Sequence, residues 1–245
     1  MIYYGLVITG TNTGIGKTEI ACGLASALSE QGYKVGVFKP VETGCEERNG
    51  ELIAQDGLRL LCASGCNLEI EKIVPYRFSL PSAPLVSAQA EEKEILFEKI
   101  FQIFDELAGE FDLLLVEDAG GLLVPFNENF LFADLIRPMH LPLLVVAENR
   151  LGAINQTLLT IESARAHELE VLGVILNQPL PSSAHSSLKN KEMIEKFSGV
   201  PVLAEIGYLS EPVREKEIKK ICSALLDYLL PRIKESGRMS IFKYF

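Results

Sequence analysis

A loop rich in glycine and threonine carries the first residues of the sequence that could do chemistry. Residues 10–18 read Gly-Thr-Asn-Thr-Gly-Ile-Gly-Lys-Thr and lie between a short β-branched run and a helical pattern. Glycines let backbone N–H groups turn onto phosphate oxygens, and the N-terminus of the following helix adds positive potential. Lys17 would neutralise the outer phosphates, and the Thr18 hydroxyl would ligate Mg²⁺. The loop therefore predicts a nucleoside triphosphate site of the P-loop kind, with an ordinary strand-to-helix turn as the alternative.

Two carboxylates and a second lysine occupy positions from which they could reach this loop. Glu117 directly follows an unbroken apolar run, where a carboxylate can hold Mg²⁺ against phosphates. Lys39 follows another apolar run, where a fixed ammonium can stabilise charge on a transferring phosphoryl group. Asp56 lies near the start of a helical pattern, where the helix dipole favours any carboxylate. Considered alone, each of the three is also consistent with a solvated side chain.

Strand-like and helical patterns alternate along the chain and would position these residues. Apolar runs predict strands at 3–9, 35–38, 113–116, 143–147, 171–176 and 202–206. Helical periodicity occurs at 17–31, 52–63, 92–108, 153–167, 186–197 and 218–229. This alternation predicts the α/β class: a parallel β-sheet flanked by helices on both faces, P-loop NTPase-like, with ligands beyond the carboxyl ends of the strands. We interpret residues 1–245 as a single domain, with 231–245 a C-terminal tail of unknown role.

Charge and composition argue against several classes of partner. The chain has 33 acidic and 23 basic residues and a net charge of -10, which disfavours binding to a nucleic-acid backbone. No apolar run approaches the roughly 18 residues of a membrane span, and no basic leader precedes the first strand. Its five cysteines are an odd number in a chain too long to need disulfides, so we expect reduced thiols and a cytoplasmic location.

Several further motifs occur in a fixed order along the chain. They are Lys-Pro-Val-Glu-Thr-Gly at 39–44, Pro-Tyr-Arg-Phe at 75–78, Pro-Ser-Ala-Pro at 81–84, Glu-Asp-Ala-Gly-Gly at 117–121, Leu-Gly-Ala-Ile-Asn at 151–155, Asn177 and Glu205-Ile206. Together with the phosphate loop and Asp56, these motifs resemble those of the ATP-dependent dethiobiotin synthetase family over about residues 5–210. The combination is far more specific than a phosphate loop alone.

The resemblance implies an Mg²⁺-dependent ligase of biotin biosynthesis that uses ATP. One amine of 7,8-diaminopelargonate would capture CO₂ as a carbamate, and the carbamate oxygen would attack the γ-phosphate to give a carbamic-phosphoric anhydride. The second amine would then close the ureido ring of dethiobiotin and release phosphate. Members of the family are homodimers that hold the substrate at the subunit interface, so a homodimer is expected.

The resemblance also implies roles for individual residues. The catalytic residues would be Lys39 and Lys17, and the Mg²⁺ site would comprise Thr18, Asp56 and Glu117. Nucleotide binding would involve Thr13, Gly14, Ile15, Gly16, Lys17, Thr18, Glu19, Asp56, Glu117, Asp118, Ala119, Gly120, Asn177, Gly207 and Tyr208, with Asn177 reading the adenine edge. Thr43 would contact the substrate, and Gly152, Ala153, Ile154 and Asn155, which open a helix, would receive the substrate carboxylate from the partner subunit.

Three positions depart from the pattern of the family. Asp118 stands where the family usually has glycine, and it could crowd the loop, ligate the metal through water or attract a substrate amine. Leu188 falls near a position at which some relatives place a tyrosine for the substrate. Gly207 replaces the proline that often follows Glu-Ile.

Two other classes of protein remain as alternatives to the synthetase. Partitioning-type and septum-positioning ATPase switches share the architecture, but they carry an extra lysine early in the loop, where this chain has Thr11-Asn12. The final amphipathic helix could then bind a membrane or partner, although its acidic residues offset its lysines and favour a packed helix. A cobyrinate amidase-type ligase would need an ammonia source, usually a fused glutaminase domain, for which 245 residues leave no room.

Overall fold

The structure, a computed structural model, describes residues 4–181 and 189–236. A parallel sheet lies at the centre of this part of the chain. In chain order the elements are β1 (Gly5–Gly10), α1 (Lys17–Glu30), β2 (Val35–Phe38), β3 (Val41–Thr43), β4 (Glu46–Arg48), β5 (Glu51–Ile53), α2 (Gln55–Ser64), α3 (Ile70–Ile73), β6 (Tyr76–Phe78), α4 (Pro84–Ala90), α5 (Phe97–Glu110), β7 (Leu113–Glu117), α6 (Phe132–Ile136), a 3₁₀ turn (Arg137–Met139), β8 (Leu143–Glu148), α7 (Ala153–Ala166), β9 (Val171–Asn177), α8 (Asn190–Ser198), β10 (Val202–Ile206) and α9 (Val213–Ser236). The main sheet has six strands in the order β10-β9-β8-β1-β7-β2, all paired in parallel. The predicted parallel sheet is confirmed.

Helices cover both faces of this sheet, as predicted. Successive side chains of a strand point to opposite faces, and β1 divides its residues accordingly. Leu6 and Ile8 pack in a core with α1, α2 and α9, whereas Val7 packs in a second core with α5 and α6. On the same side as α5, Val145 of β8 packs against α7 and α8. Burial on both faces explains why the strands read as continuous apolar runs rather than as alternating ones.

The parallel arrangement brings the carboxyl ends of distant strands to one edge of the sheet. Strand β1 lies between β7 and β8, and its Ile8 is in register with Glu117 at the end of β7. Strand β2 flanks β7 on the other side, so the segment that follows it begins at the same edge. The phosphate loop, Lys39 and Glu117 therefore meet beyond the ends of β1, β2 and β7.

The structure differs from the sequence-based prediction mainly in short and terminal elements. The small sheets β3–β6 and β4–β5 were not predicted, because three-residue strands are too short to show a periodic pattern. Helix α8 begins at Asn190, whereas the pattern placed its start at 186. Residues 186–188, including Leu188, lie outside the described residues.

The last helix extends beyond the predicted start of the tail. Helix α9 continues through Pro231 to Ser236, and residues 237–245 lie outside the described residues. Proline removes one backbone donor from a helix interior, but Leu229 and Ile233 on either side of it are buried in the core. Their packing keeps the helix continuous. Within the described residues, no helix combines the length and apolarity that crossing a membrane requires.

Candidate active site

The phosphate loop turns sharply between β1 and α1 with the help of two glycines. Gly14 and Gly16 have φ angles of 74° and 93°, in the left-handed region that favours glycine. A Cβ atom at Gly16 would also collide with the side-chain amide of Asn177. The Ile15 side chain between them is buried in the core. The loop is thus anchored by one apolar side chain while its glycines leave the backbone close to the cavity.

Lys17 folds back across the loop from the first turn of α1. Its Nζ donates to the carbonyl oxygens of Asn12 (3.0 Å) and Gly120 (3.2 Å), and it lies 3.5 Å from Oδ1 of Asp118. The loop after β1 and the loop after β7 are therefore joined by one ammonium group. This buried position is suited to neutralising phosphates bound between the two loops.

Lys39 lies at the centre of a buried cluster of charges. Its Nζ is 2.6 Å from Oε1 of Glu117 and 3.1 Å from Oδ2 of Asp56, and the Thr18 hydroxyl donates to the same Glu117 oxygen at 2.8 Å. Burial opposes the charge on Lys39, but Glu117 and Asp56 outweigh that effect and raise the pKa of the ammonium above its ordinary value. Lys39 is therefore held as a fixed cation at the carboxyl edge of the sheet.

A buried glutamate that the sequence did not single out holds one side of this cluster. Glu42 of β3 accepts hydrogen bonds from the backbone N–H groups of Asp56 (3.0 Å) and Gly57 (2.9 Å). A carboxylate there satisfies donors that the start of α2 leaves unpaired. Burial raises the pKa of the Glu42 carboxyl. Glu42 thereby keeps the first turn of α2, and with it Asp56, beside Lys39.

Most of the predicted site residues border one cavity of about 700 Å³. Its lining includes Thr13, Gly14, Gly16, Lys17, Thr18, Glu19, Lys39, Thr43, Asp56, Glu117, Asp118, Ala119 and Gly120. The hydroxyl of Thr18 and the carboxylates of Asp56 and Glu117 are hard oxygen donors, which Mg²⁺ prefers. Oε2 of Glu117 is buried with no hydrogen-bond partner among the described residues. This donor set and its unpartnered oxygen fit a divalent cation.

The chain is similar in sequence to proteins of one enzyme family. A family model described as an AAA domain matches residues 4–216. An ATP-dependent dethiobiotin synthetase of Bacillus cereus (strain G9842) is 39% identical over 214 residues, covering 87% of each chain. One from Aquifex aeolicus is 40% identical over 228 residues, covering 93% of this chain and 98% of its own.

The chain belongs to the ATP-dependent dethiobiotin synthetase family.

Similarity to solved structures extends the fold beyond the synthetases. A ParA family ATPase from Chlorobium tepidum superposes with a TM-score of 0.54 at 16% identity, covering 96% of each chain. A likeness at this level of identity shows the fold alone. The predicted P-loop NTPase-like architecture is confirmed.

Asp118, the acid that follows Glu117, is fully buried. Its Oδ2 accepts a hydrogen bond from the hydroxyl of Thr9 in β1, and its Oδ1 faces Lys17 without a hydrogen bond. An unpaired carboxylate in such a position would be strongly unfavourable. Lys17 supplies the compensating charge, so the Asp118 carboxylate is accommodated through a residue of the phosphate loop.

Asn177, expected to read adenine, lies behind the phosphate loop and is fully buried. Its Nδ2 donates to the carbonyl oxygen of Ile15 at 2.8 Å, and its Oδ1 accepts from Nη2 of Arg214 at 2.9 Å. An asparagine amide has two donor hydrogens and two acceptor lone pairs. Among the described residues, these contacts use one donor hydrogen and one acceptor lone pair of the amide.

The remaining predicted residues are not among those that border the main cavity. Gly152, with φ 94°, precedes α7, and Ala153, Ile154 and Asn155 form the first turn of that helix. The adjoining Leu151 is 81% exposed. Gly207 and Tyr208 follow β10, and Tyr208 is exposed.

Arg214 was missed by sequence reasoning, because an arginine at the start of a charged helix is usually solvated.

Proposed function

We propose that this chain catalyses the ATP-dependent carboxylation of 7,8-diaminopelargonate and its closure to dethiobiotin. The observation that carries the proposal is the cluster around Lys39, in which Thr18, Asp56 and Glu117 converge from separate parts of the chain on the cavity of the phosphate loop. The relatives named ATP-dependent dethiobiotin synthetase support the choice of reaction.

The proposed reaction has three steps. The lone pair of one substrate amine attacks the carbon of CO₂ and the nitrogen loses a proton, which gives a carbamate. A carbamate oxygen then attacks the γ-phosphorus of ATP, and ADP leaves. The second amine attacks the carbonyl carbon of the resulting anhydride and its nitrogen loses a proton, so that the C–N bond of the ureido ring forms while the C–O bond to phosphate breaks and phosphate leaves.

The residues of the cavity act by neutralising and positioning charge rather than as nucleophiles. The ammonium of Lys39 would stabilise negative charge that develops on the carbamate and the transferring phosphoryl group. Lys17 and the N–H groups of the loop would bind the outer phosphates. Thr18, Asp56 and Glu117 would hold Mg²⁺, which supplies charge neutralisation on the phosphates when bound. Asn177 would read the adenine edge, as the likeness to the family implies.

We extend the proposal to a homodimer in which α7 serves the partner's site. Helix α7 has 14 residues, and its N-terminus presents unpaired N–H groups and positive potential, which suit a carboxylate. Leu123, Leu151 and Leu159 are exposed, and burying them against a second copy would remove apolar surface from water. A cytoplasmic location is supported by five cysteines without a disulfide.

The test is phosphate release from ATP, Mg²⁺ and bicarbonate, measured with and without 7,8-diaminopelargonate. We expect release to depend strictly on the diamine. Diamine-independent hydrolysis would instead favour a nucleotide switch of the partitioning kind and would contradict the proposal.

The variant Lys39→Ala tests the central residue of the proposal. Because the ammonium acts on charge that develops in the transition state, its loss should lower kcat by about a hundred- to a thousandfold. The dissociation constant of ATP should change little. Lys34→Ala is the matched control, since Lys34 precedes the same strand at the opposite edge of the sheet and is exposed. A Lys39→Ala enzyme with the kcat of the wild type would overturn the catalytic role.

A further inference from the structure

Arg214 is a buried cation that joins three elements at the back of the phosphate loop. It lies in the first turn of α9 and is 3% exposed. Its Nε and Nη2 atoms lie 3.0 and 2.7 Å from Oε2 of Glu19 in α1. Nη2 also donates to Oδ1 of Asn177 at the end of β9, and Nη1 donates to the carbonyl oxygen of Gln178 at 3.4 Å. A buried guanidinium with this fixed fork of donors specifies the positions of all its acceptors.

The contact with Asn177 determines which end of that amide faces the phosphate loop. Arginine has donors and no acceptor, so Arg214 can bind only the oxygen of the amide. The nitrogen is therefore turned towards the loop, where it donates to the carbonyl oxygen of Ile15. With the amide reversed, two oxygens would face each other and the hydrogen bond would be lost.

The contact with Ile15 in turn orients the peptide bond between Ile15 and Gly16. In a trans peptide the C=O and N–H groups point in opposite directions. Holding the Ile15 carbonyl against Asn177 therefore directs the N–H of Gly16 the other way. Gly16 borders the main cavity, whereas Asn177 lies behind the loop. This is the orientation that a phosphate requires.

We propose that Arg214 is a positioning residue for nucleotide binding. Through Asn177 it fixes the Ile15–Gly16 peptide so that its N–H faces the phosphates, and through Glu19 it ties α9 to the first turn of α1. The inference rests on the proposed use of this loop to bind ATP. Helix α9 would thereby help to position the phosphate loop, in addition to packing its apolar face in the core.

Two variants of Arg214 separate the geometry of the fork from its charge. Arg214→Met keeps the length of the side chain but removes all donors, and we expect it to weaken ATP binding about ten- to a hundredfold. Arg214→Lys keeps a charge that can satisfy Glu19 or Asn177 but cannot span both in one plane. For Arg214→Lys we expect a loss of ATP affinity smaller than that of Arg214→Met. Because it retains a cation beside Glu19, Arg214→Lys can be measured even if Arg214→Met folds poorly.

Lys219→Ala provides a matched control on the same pair of helices. Lys219 of α9 pairs with Glu30 at the far end of α1, and both side chains are exposed. This variant removes a link between α9 and α1 without touching the phosphate loop. It should leave the KM for ATP, the KM for the diamine and kcat within twofold of the wild type.

The experiment measures the dissociation constant of a non-hydrolysable ATP analogue with Mg²⁺, the KM of both substrates and the melting temperature. For Arg214→Met we expect the KM for ATP to rise about tenfold or more and the KM for the diamine to change less than twofold. A merely structural role would raise both together as the melting temperature falls, and that result would overturn the inference.

A double variant tests whether Arg214 acts through Asn177. In an Asn177→Ala background, Arg214→Met should weaken analogue binding by less than a third of the factor seen in the wild type, because residues of one network are not additive. Full additivity would contradict the inference. Absence of diamine-dependent phosphate release from the wild type would contradict the proposed function alone, since analogue binding reports on Arg214 separately.

Discussion

Gly14 and Gly16 both adopt left-handed backbone conformations, but only Gly16 has a neighbour against its α-carbon. None of the described residues lies within 4 Å of a Cβ built on Gly14, whereas a Cβ on Gly16 would meet the Asn177 amide. Gly14 is therefore required only for its positive φ, whereas Gly16 is also required because the Asn177 side chain lies against it. The distinction matters for the phosphate loop, because Asn177 holds the loop at that point.

Substitution of the two glycines by alanine should consequently have different effects. Gly14→Ala should lower the free energy of unfolding by roughly 1–2 kcal/mol, the cost of a left-handed alanine. Gly16→Ala should lower it further and should also abolish tight nucleotide binding, since it displaces Asn177. Denaturant unfolding and calorimetric titration with an ATP analogue would measure the two effects. Equal losses for the two variants would show that the Asn177 contact is unimportant.

Sequence reasoning at this scale succeeded where position along a strand decides placement. Lys39 and Glu117 follow neighbouring parallel strands, so their meeting followed from the rule that carboxyl ends share an edge. Arg214 and Glu42 gave no such signal. The partners of Arg214 include a residue 195 positions away, and the value of a buried charge depends on which groups the completed fold brings beside it.

Among the elements, the segment between β6 and α4 borders the main cavity and is bound by the carboxylate of Glu91. Glu91, at the end of α4, accepts hydrogen bonds from the backbone N–H groups of Ser79 (2.6 Å) and Leu80 (3.3 Å), and it pairs with Lys93. Residues 81–83, which follow directly, line the cavity. The position of this wall therefore depends on the charge of Glu91.

The pH dependence of stability should report on this carboxylate. Burial alone would raise the pKa of Glu91, but Lys93 and the donors at Ser79 and Leu80 outweigh it and lower that pKa from 4.5 to about 2. A lowered pKa in the folded state means that the stabilisation is present above about pH 4.5 and is lost as the pH falls towards 2. Glu91→Gln removes it at every pH.

Urea unfolding of the wild type and Glu91→Gln at several pH values would check this expectation. The difference in the free energy of unfolding should be largest near neutral pH and should shrink below pH 4.5. Glu47→Gln, in the exposed strand β4, serves as the control. A difference between the wild type and Glu91→Gln that is constant down to pH 2 would contradict the assignment.

The elements that sequence patterns predicted are those that bury a continuous apolar run. Strand β7 was expected at 113–116 and is found at Leu113–Glu117. The short strands β3 and β6 were not predicted, although β3 carries Glu42 and Thr43. They pair with each other over three residues, and so few residues leave no period to detect. The extension of α9 past Pro231 was missed because the packing of Ile233 overrides the local signal of a proline.

At the scale of the whole molecule, the residues of the candidate active site meet because separate strands end at the same edge of the sheet. The loop after β1, Lys39 after β2 and Glu117 at the end of β7 are distant in sequence and adjacent in the sheet. The back of the site is closed by α9, through Arg214. The substrate and the chemistry are inferred from membership of the family, because no fold determines them by itself. The sheet brings the residues together.

The most direct test of this account is the fate of carbon from ¹³C-labelled bicarbonate. The protein is incubated with ATP, Mg²⁺ and 7,8-diaminopelargonate, and the product is analysed by mass spectrometry alongside released phosphate. We expect one labelled carbon in each ureido ring and one phosphate released for each ring formed. Phosphate release without incorporation of the label would contradict the account.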